Sequence, residues 1–143
     1  MKVAIMLSGM NRSKLNYYIN HKQLIDKYNT DVYVSTYSNN AVEYSSGNIP
    51  DVIRPISIRN EKQEYLSPQD MLKLYTPYKV EFEDFNNIKP KLDLITNKTY
   101  EMVVNTTNTL SMFYKIQKSF ELIKKKYDVY IRMRFDSWAW WFL

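Results

Sequence analysis

Two arginines and one aspartate alternate near the end of the chain, as Arg132, Arg134 and Asp136. Alternate side chains of a strand share one face, so the two guanidiniums and the carboxylate would point the same way. Guanidiniums are permanently charged and bind phosphate oxygens in a bidentate manner, and a carboxylate beside them could hold a divalent metal that bridges two phosphates. The spacing is equally compatible with an internal Arg–Asp network that only fixes the end of the strand.

A second candidate anion site follows the apolar start of the chain, in the segment from Ser8 to Ser13. We expect a turn that opens a helix here. The N–H groups at a helix N-terminus favour an anion, and Arg12 would add positive charge. Alternatively, Gly9 only makes the turn, and Asn11 or Ser13 caps the helix. The candidate substrate-binding residues are Ser8, Gly9, Arg12, Arg132 and Arg134, and the candidate metal ligand is Asp136.

Hydrophobic patterning predicts the elements that would position the first group. Residues 2–7 are continuously apolar, as in a strand covered on both faces of a parallel sheet. Apolar residues recur near helical spacing over about 12–28. Residues 31–37 are rich in the β-branched and aromatic types that are typical of a strand. This order predicts a strand–helix–strand unit.

The middle of the chain is less regular. Residues 52–58 could form an edge strand, because the proline among them removes a ladder donor. Ser67 followed by Pro68 predicts the start of a short helix that ends at about residue 75. Residues 78–82 predict another strand, and the Asn/Lys/Asp-rich stretch after them predicts a loop.

Five apolar residues spaced three and four apart predict a helix over about 106–126. They are Phe113, Ile116, Phe120, Ile123 and Tyr127. Lys124 to Lys126 would lie in its last turn, where cations oppose the helix dipole, and a strand over 128–136 follows. Together these elements predict a single α/β domain over 1–143, with a mostly parallel, Rossmann-like sheet and flanking helices. Ligands of such sheets bind beyond the carboxyl ends of the strands.

Composition narrows the classes of function. Only two glycines occur, which excludes a Gly-rich phosphate loop of the Walker or Rossmann type. The chain contains no cysteine, which excludes disulfides and thiolate metal sites and fits a cytoplasmic location. No apolar stretch approaches the roughly 20 residues of a membrane span. The net charge of +5 favours anionic ligands as a class.

The order of four motifs resembles a family of glycosyltransferases with a GT-A-like fold, common in bacterial polysaccharide-biosynthesis clusters and in the genomes of large viruses and marine microbes. The family opens with a strand and a Ser-Gly-x-x-Arg turn, continues with an Asp-Val-Tyr strand, and later carries a Met-x-Tyr-x-Ile helix before a Tyr-Asp-x-x-Ile-Arg-x-Arg-x-Asp strand. The matching segments are Leu7–Ser13, Asp31–Tyr37, Met112–Ile116 and Tyr127–Asp136.

This resemblance implies a nucleotide-sugar donor held with Mn²⁺ or Mg²⁺, with Asp136 as the metal-binding carboxylate and Gly9 and Arg12 near the nucleotide. In such enzymes the acceptor site and the usual catalytic base come later in the chain, whereas only residues 137–143 remain here. The chain would thus be a transferase or a remnant that binds nucleotide without turnover. Its Trp-rich tail is expected to be the stub of a truncated domain, or to be buried in a homo-oligomer, rather than to stack on a sugar.

Two other classes of function compete with this interpretation. Positive charge and many tyrosines suggest a nucleic-acid-binding module, although the basic and aromatic residues do not cluster on one element. The Trp-rich tail also fits a non-catalytic oligomeric protein. The only histidine, His21, is expected on the surface of the first helix rather than as a general base, because it lies opposite much of the apolar stripe.

Overall fold

The computed structural model describes residues 1–38, 65–96 and 106–138. In these ranges four strands form one parallel sheet in the order β3-β2-β1-β4, with helices on both faces. The strands are β1 Lys2–Gly9, β2 Asn29–Tyr37, β3 Lys79–Glu83 and β4 Val129–Met133. The helices are α1 Leu15–Lys27, α2 Pro68–Tyr75, α3 Phe85–Thr96 and α4 Thr106–Glu121. The predicted α/β architecture with a parallel, Rossmann-like sheet is confirmed.

The strand order reverses at β1. Strands β2 and β3 follow one another on one side of β1, whereas β4 pairs with its other side, with Leu7 opposite Met133. A parallel sheet binds ligands where its strand order reverses, outside the carboxyl ends of the two central strands. The segments that follow β1 and β4 therefore leave the sheet side by side at this point.

One face of the sheet packs an apolar core against α1 and α2. Its buried residues include Val3, Ile5, Leu7, Leu24, Val34, Met71, Met133 and Phe135. The capping prediction for α2 is confirmed, because the Ser67 hydroxyl accepts a hydrogen bond from the Asp70 amide at 3.1 Å. The alternation predicted for β4 holds for its apolar side, since Met133 and Phe135 are both buried in this core.

The other face is covered by α3 and α4, and α4 turns a polar side toward the sheet. Ser111, Lys115 and Ser119 are buried, whereas Phe113 and Phe120 are 57% and 50% exposed. The apolar stripe thus predicted the helix but not the side of it that packs. The two small serines allow α4 to approach the strands closely, and the charge of Lys115 is paired with Glu83 on β3.

Three predicted boundaries or elements are wrong. The stretch expected to be a loop after β3 is α3, because Phe85, Ile88 and Leu92 recur at helical spacing and pack together, while its polar residues face outward. Helix α4 ends at Glu121, so Lys124–Lys126 follow it instead of forming its last turn. Strand β4 ends at Met133, three residues earlier than expected.

Some predictions fall outside the described residues, namely the edge strand over 52–58 and the tail beyond residue 138. Within the described ranges, the helices are all too short or too polar to cross a bilayer.

Candidate anion-binding site

The candidate residues from the two ends of the chain meet at the carboxyl edge between β1 and β4. Asp136 pairs with Arg134 in a bidentate manner, with Nε to Oδ1 and Nη2 to Oδ2 both at 2.9 Å. Arg12, in the turn after β1, approaches the same carboxylate, with Nη1 at 3.6 Å from Oδ2. Asp136 therefore lies between two guanidiniums that belong to distant parts of the sequence. It reaches Arg134 from a turn after β4 and not by strand alternation, because the strand ends at Met133.

Arg132 is the third guanidinium of this edge. Its Nε donates to the Ser8 hydroxyl at 3.2 Å, which joins β4 to the end of β1. Its Nη2 is buried and has no hydrogen-bond partner among the described residues. Burial, followed by the neighbouring charge of Arg134, lowers the pKa of Arg132. An unpaired buried donor costs free energy, so this N–H group is suited to an oxygen acceptor from a ligand.

The cluster keeps an excess of positive charge. Three guanidiniums lie at this edge with one carboxylate, which pairs with Arg12 and Arg134, and these two side chains are partly open to solvent. An Arg–Asp network is present, because the Asp136 carboxylate pairs with Arg134 and Arg12. Among the described residues Arg132 forms no direct ion pair, however, so its guanidinium can also receive an anion.

Gly9 gives the turn after β1 its shape. Its φ of 114° lies in the region that favours glycine, whereas a Cβ at this position would meet no atom within 4 Å. Conformation, and not lack of room, therefore requires glycine here. The Gly9 carbonyl accepts a hydrogen bond from the Thr36 hydroxyl at 2.6 Å, which ties the turn to β2.

Neither Asn11 nor Ser13 caps α1, contrary to the alternative considered for this segment. The N-cap position is Lys14, and no side chain provides a capping hydrogen bond there. Asn11 instead donates through Nδ2 to the Leu66 carbonyl at 2.9 Å, and the Leu66 amide donates to the Ser13 carbonyl at 2.7 Å. These residues fasten the turn to the segment that precedes α2, which fixes the base of Arg12.

His21 is buried, so the prediction of a surface histidine is wrong. His21 is only 1% exposed. Its Nε2 lies 2.6 Å from the Ser137 carbonyl oxygen, and its Nδ1 lies 2.8 Å from the Tyr75 hydroxyl. A carbonyl oxygen only accepts, so Nε2 carries the proton and Nδ1 accepts from Tyr75. Burial lowers the pKa of His21, which keeps the ring neutral. A signal existed in the sequence, since His21 lies three residues from both Tyr18 and Leu24 and hence on the packed side of α1.

Ser137 links His21 to the turn that carries Asp136. Its hydroxyl donates to the Arg134 carbonyl at 2.7 Å, and its own carbonyl is held by His21. The turn after β4 is therefore fixed at both ends, which places the carboxylate beside Arg12.

The described residues do not contain a preassembled metal centre. No group of three or more His, Cys, Asp or Glu side chains that could hold a metal ion occurs among them. Asp136 offers a single carboxylate. Mg²⁺ commonly binds through one or two carboxylates together with substrate phosphates. The single carboxylate that the described residues place at this edge is compatible with a metal that arrives with a diphosphate.

A second ionisable cluster, which sequence reasoning missed, lies under α4. The fully buried Lys115 places Nζ at 2.7 Å from Glu83 and at 3.6 Å from Glu81, and at 4.7 Å from the centroid of the Tyr37 ring. Burial and a hydrogen bond with Glu83 raise the pKa of Glu81. Burial also tends to raise the pKa of Glu83. Hydrogen bonds from Glu81 and Lys115 outweigh this effect, so the pKa of Glu83 is lowered. The two glutamates are on β3, two strands from β1, so this cluster holds α4 and is separate from the arginines.

Comparison of the chain with protein-family models, curated proteins and solved structures finds no match.

Proposed function

We propose that the edge between β1 and β4 binds the diphosphate of a nucleotide sugar, and that the chain is the donor-binding part of a GT-A-like glycosyltransferase. The observation that carries the proposal is the set of three guanidiniums at the reversal of strand order, two of them paired with Asp136 and the third, Arg132, with a buried Nη2 that has no hydrogen-bond partner among the described residues. The geometry supports the anion, and the motif resemblance supports the nucleotide sugar.

A diphosphate suits this edge because its oxygens can replace the Asp136 carboxylate as partners of Arg12 and Arg134. Both guanidiniums are partly exposed, so the exchange does not require the core to open. Arg132 would supply a further donor from the floor of the site. Asp136, once released from Arg134, would be available to the Mn²⁺ or Mg²⁺ that accompanies the phosphates. The positive charge of this metal ion would offset the negative charge of the phosphate oxygens.

The test measures binding of pyrophosphate, UDP, GDP and their sugar conjugates by thermal shift and titration calorimetry, with Mg²⁺, with Mn²⁺ and with a chelator. Charge-assisted hydrogen bonds contribute about 1.5–3 kcal/mol each, so Arg132→Met should weaken binding by about 10- to 150-fold. Asp136→Asn should abolish the part of the affinity that depends on metal and leave metal-free binding in place.

Lys22→Met is the matched control. It removes one positive charge from the exposed side of α1, where Lys22 pairs with Asp26 at 2.7 Å. Its affinity for diphosphates should stay within about twofold of the wild type, since exposed charges interact weakly. The proposal fails if none of these anions raises the melting temperature, or if Lys22→Met is as harmful as Arg132→Met. Salt-sensitive binding of oligonucleotides without binding of diphosphates would favour the nucleic-acid interpretation instead.

A further inference from the structure

An aromatic pair joins the two segments that carry Arg12 and Asp136. The rings of Tyr17 and Trp138 meet edge to face, with centroids 5.4 Å apart and planes at 69°. Tyr17 lies in the first turn of α1, close along the chain to Arg12, and Trp138 follows Asp136 by two residues. Trp138 remains 43% exposed. Part of the indole is therefore accessible to solvent, two residues after the carboxylate of the charged edge.

Two successive turns of α1 hold this ring in place. His21 is one helical turn after Tyr17 and binds the Ser137 carbonyl at 2.6 Å, immediately before Trp138 in the chain. Tyr17 then contacts the indole itself. Residues four apart on a helix share a face, so His21 and Tyr17 contact two consecutive residues, Ser137 and Trp138. The indole is thus attached to the turn that carries Asp136, and the Cα atoms of the two residues are at most about 7 Å apart.

We propose that Trp138, braced by Tyr17, is the stacking surface for the base of the nucleotide whose diphosphate the arginines bind. This inference rests on the proposed function and adds the base-binding part of the same site. A nucleobase presents a flat π-face, which stacks on an aromatic ring with little dependence on the identity of the base. The ribose that separates a base from its phosphates is comparable in length with the step from Asp136 to Trp138. An orientation fixed by Tyr17 reduces the entropy that stacking would otherwise lose.

The experiment compares pyrophosphate, UDP and UDP-glucose on the full chain and on three variants, Trp138→Ala, Trp138→Phe and Trp138→Leu. Stacking typically contributes enough that Trp138→Ala should weaken UDP by about 5- to 150-fold. Pyrophosphate, which has no base, should bind to Trp138→Ala as to the wild type. Trp138→Phe should retain most of the affinity for UDP, whereas Trp138→Leu, which keeps apolar bulk without an aromatic face, should not.

A second measurement keeps the test valid if Trp138→Ala does not fold. In a background with Trp140→Phe and Trp141→Phe, Trp138 is the only tryptophan, since the chain has three. UDP should quench its fluorescence, and pyrophosphate should quench it much less.

Each outcome bears on one proposal or both. Equal affinity of the wild type for UDP and pyrophosphate would overturn the base-stacking inference and leave the anion site standing. So would equal weakening of both ligands in Trp138→Ala, which would indicate a merely structural residue. Loss of affinity for UDP-glucose alone would mean that the indole receives the sugar. If neither UDP nor pyrophosphate binds, the anion site fails and the inference fails with it.

Discussion

His21 allows a test that links α1 to the turn carrying Asp136. Replacing it by leucine removes two hydrogen bonds, to the Ser137 carbonyl at 2.6 Å and to the Tyr75 hydroxyl at 2.8 Å. Each such bond contributes about 0.5–1.5 kcal/mol, and a buried hydroxyl left unpaired costs about 1–3 kcal/mol. We therefore expect His21→Leu to lower the free energy of unfolding by about 2–4 kcal/mol, partly offset by apolar packing. His21→Gln keeps an amide N–H for Ser137 and should cost about 1–2 kcal/mol.

The same residue predicts a dependence of stability on pH. Burial lowers the pKa of His21 below its ordinary value of 6.5, so the unfolded chain binds this proton at a higher pH than the folded chain does. The contribution of the neutral His21 to the free energy of unfolding is therefore fully present above about pH 6.5, and it is lost as the pH drops toward the pKa of the folded state. The slope for one proton cannot exceed about 1.4 kcal/mol per pH unit. Since His21 is the only histidine in the chain, no other imidazole can produce this effect.

The assay is urea denaturation of wild type, His21→Leu and His21→Gln between about pH 5.5 and pH 7.5, the range in which histidine titrates. Carboxylates contribute equally to all three proteins, so the difference between wild type and His21→Gln isolates the imidazole. The difference should shrink as the pH falls, because only the wild type loses stability from this group. Parallel curves at all pH values, or a cost of His21→Leu below about 0.5 kcal/mol, would contradict the buried, neutral histidine described here.

Three further predictions concern the rest of the fold. Lys115→Met should lower the free energy of unfolding by about 2–3 kcal/mol, because Glu83 loses its partner, and adding Glu83→Gln should restore part of it, as read from urea midpoints. Gly9→Ala should cost about 1–2 kcal/mol in thermal unfolding, because its φ of 114° strains alanine although space is available. Phe113→Ala should cost less than about 1 kcal/mol, whereas Ser119→Leu should cost about 1–3 kcal/mol by overpacking, since only the serine faces the sheet. The reverse order would show that α4 is turned the other way.

The order of the elements was largely predictable, because it depends on local signals. A continuously apolar β1 and the Ser67 cap of α2 each lie within a few consecutive residues. The packed side of α4 was not predictable from its own pattern. The burial of Lys115 is made possible by Glu83 and Tyr37, which are far away in the sequence, so the usual rule that the apolar side faces inward fails there.

The candidate site was predictable in its parts and not in its contacts. The charged residues after β4 and the turn at Gly9 follow from spacing, and the edge they share follows from the parallel sheet. That Asp136 would pair with both Arg134 and Arg12 depends on the turn after β4, which tertiary hydrogen bonds fix. The burial of His21 was not predictable for the same reason, because its partners Ser137 and Tyr75 lie outside α1.

The way in which the chain enters and leaves the two central strands explains why the charged groups gather here. After β1 the chain passes to the face of the sheet covered by α1, whereas it reaches β4 from α4 on the opposite face. Beyond β4 the chain crosses to the side of α1, where His21 binds the Ser137 carbonyl and Tyr17 contacts Trp138. This crossing carries Asp136 over the carboxyl end of β1 and next to Arg12. The strand connections therefore bring the positively charged side chains together at the reversal of strand order. The contacts of α1 with Ser137 and Trp138 hold the turn that carries Asp136 in this position.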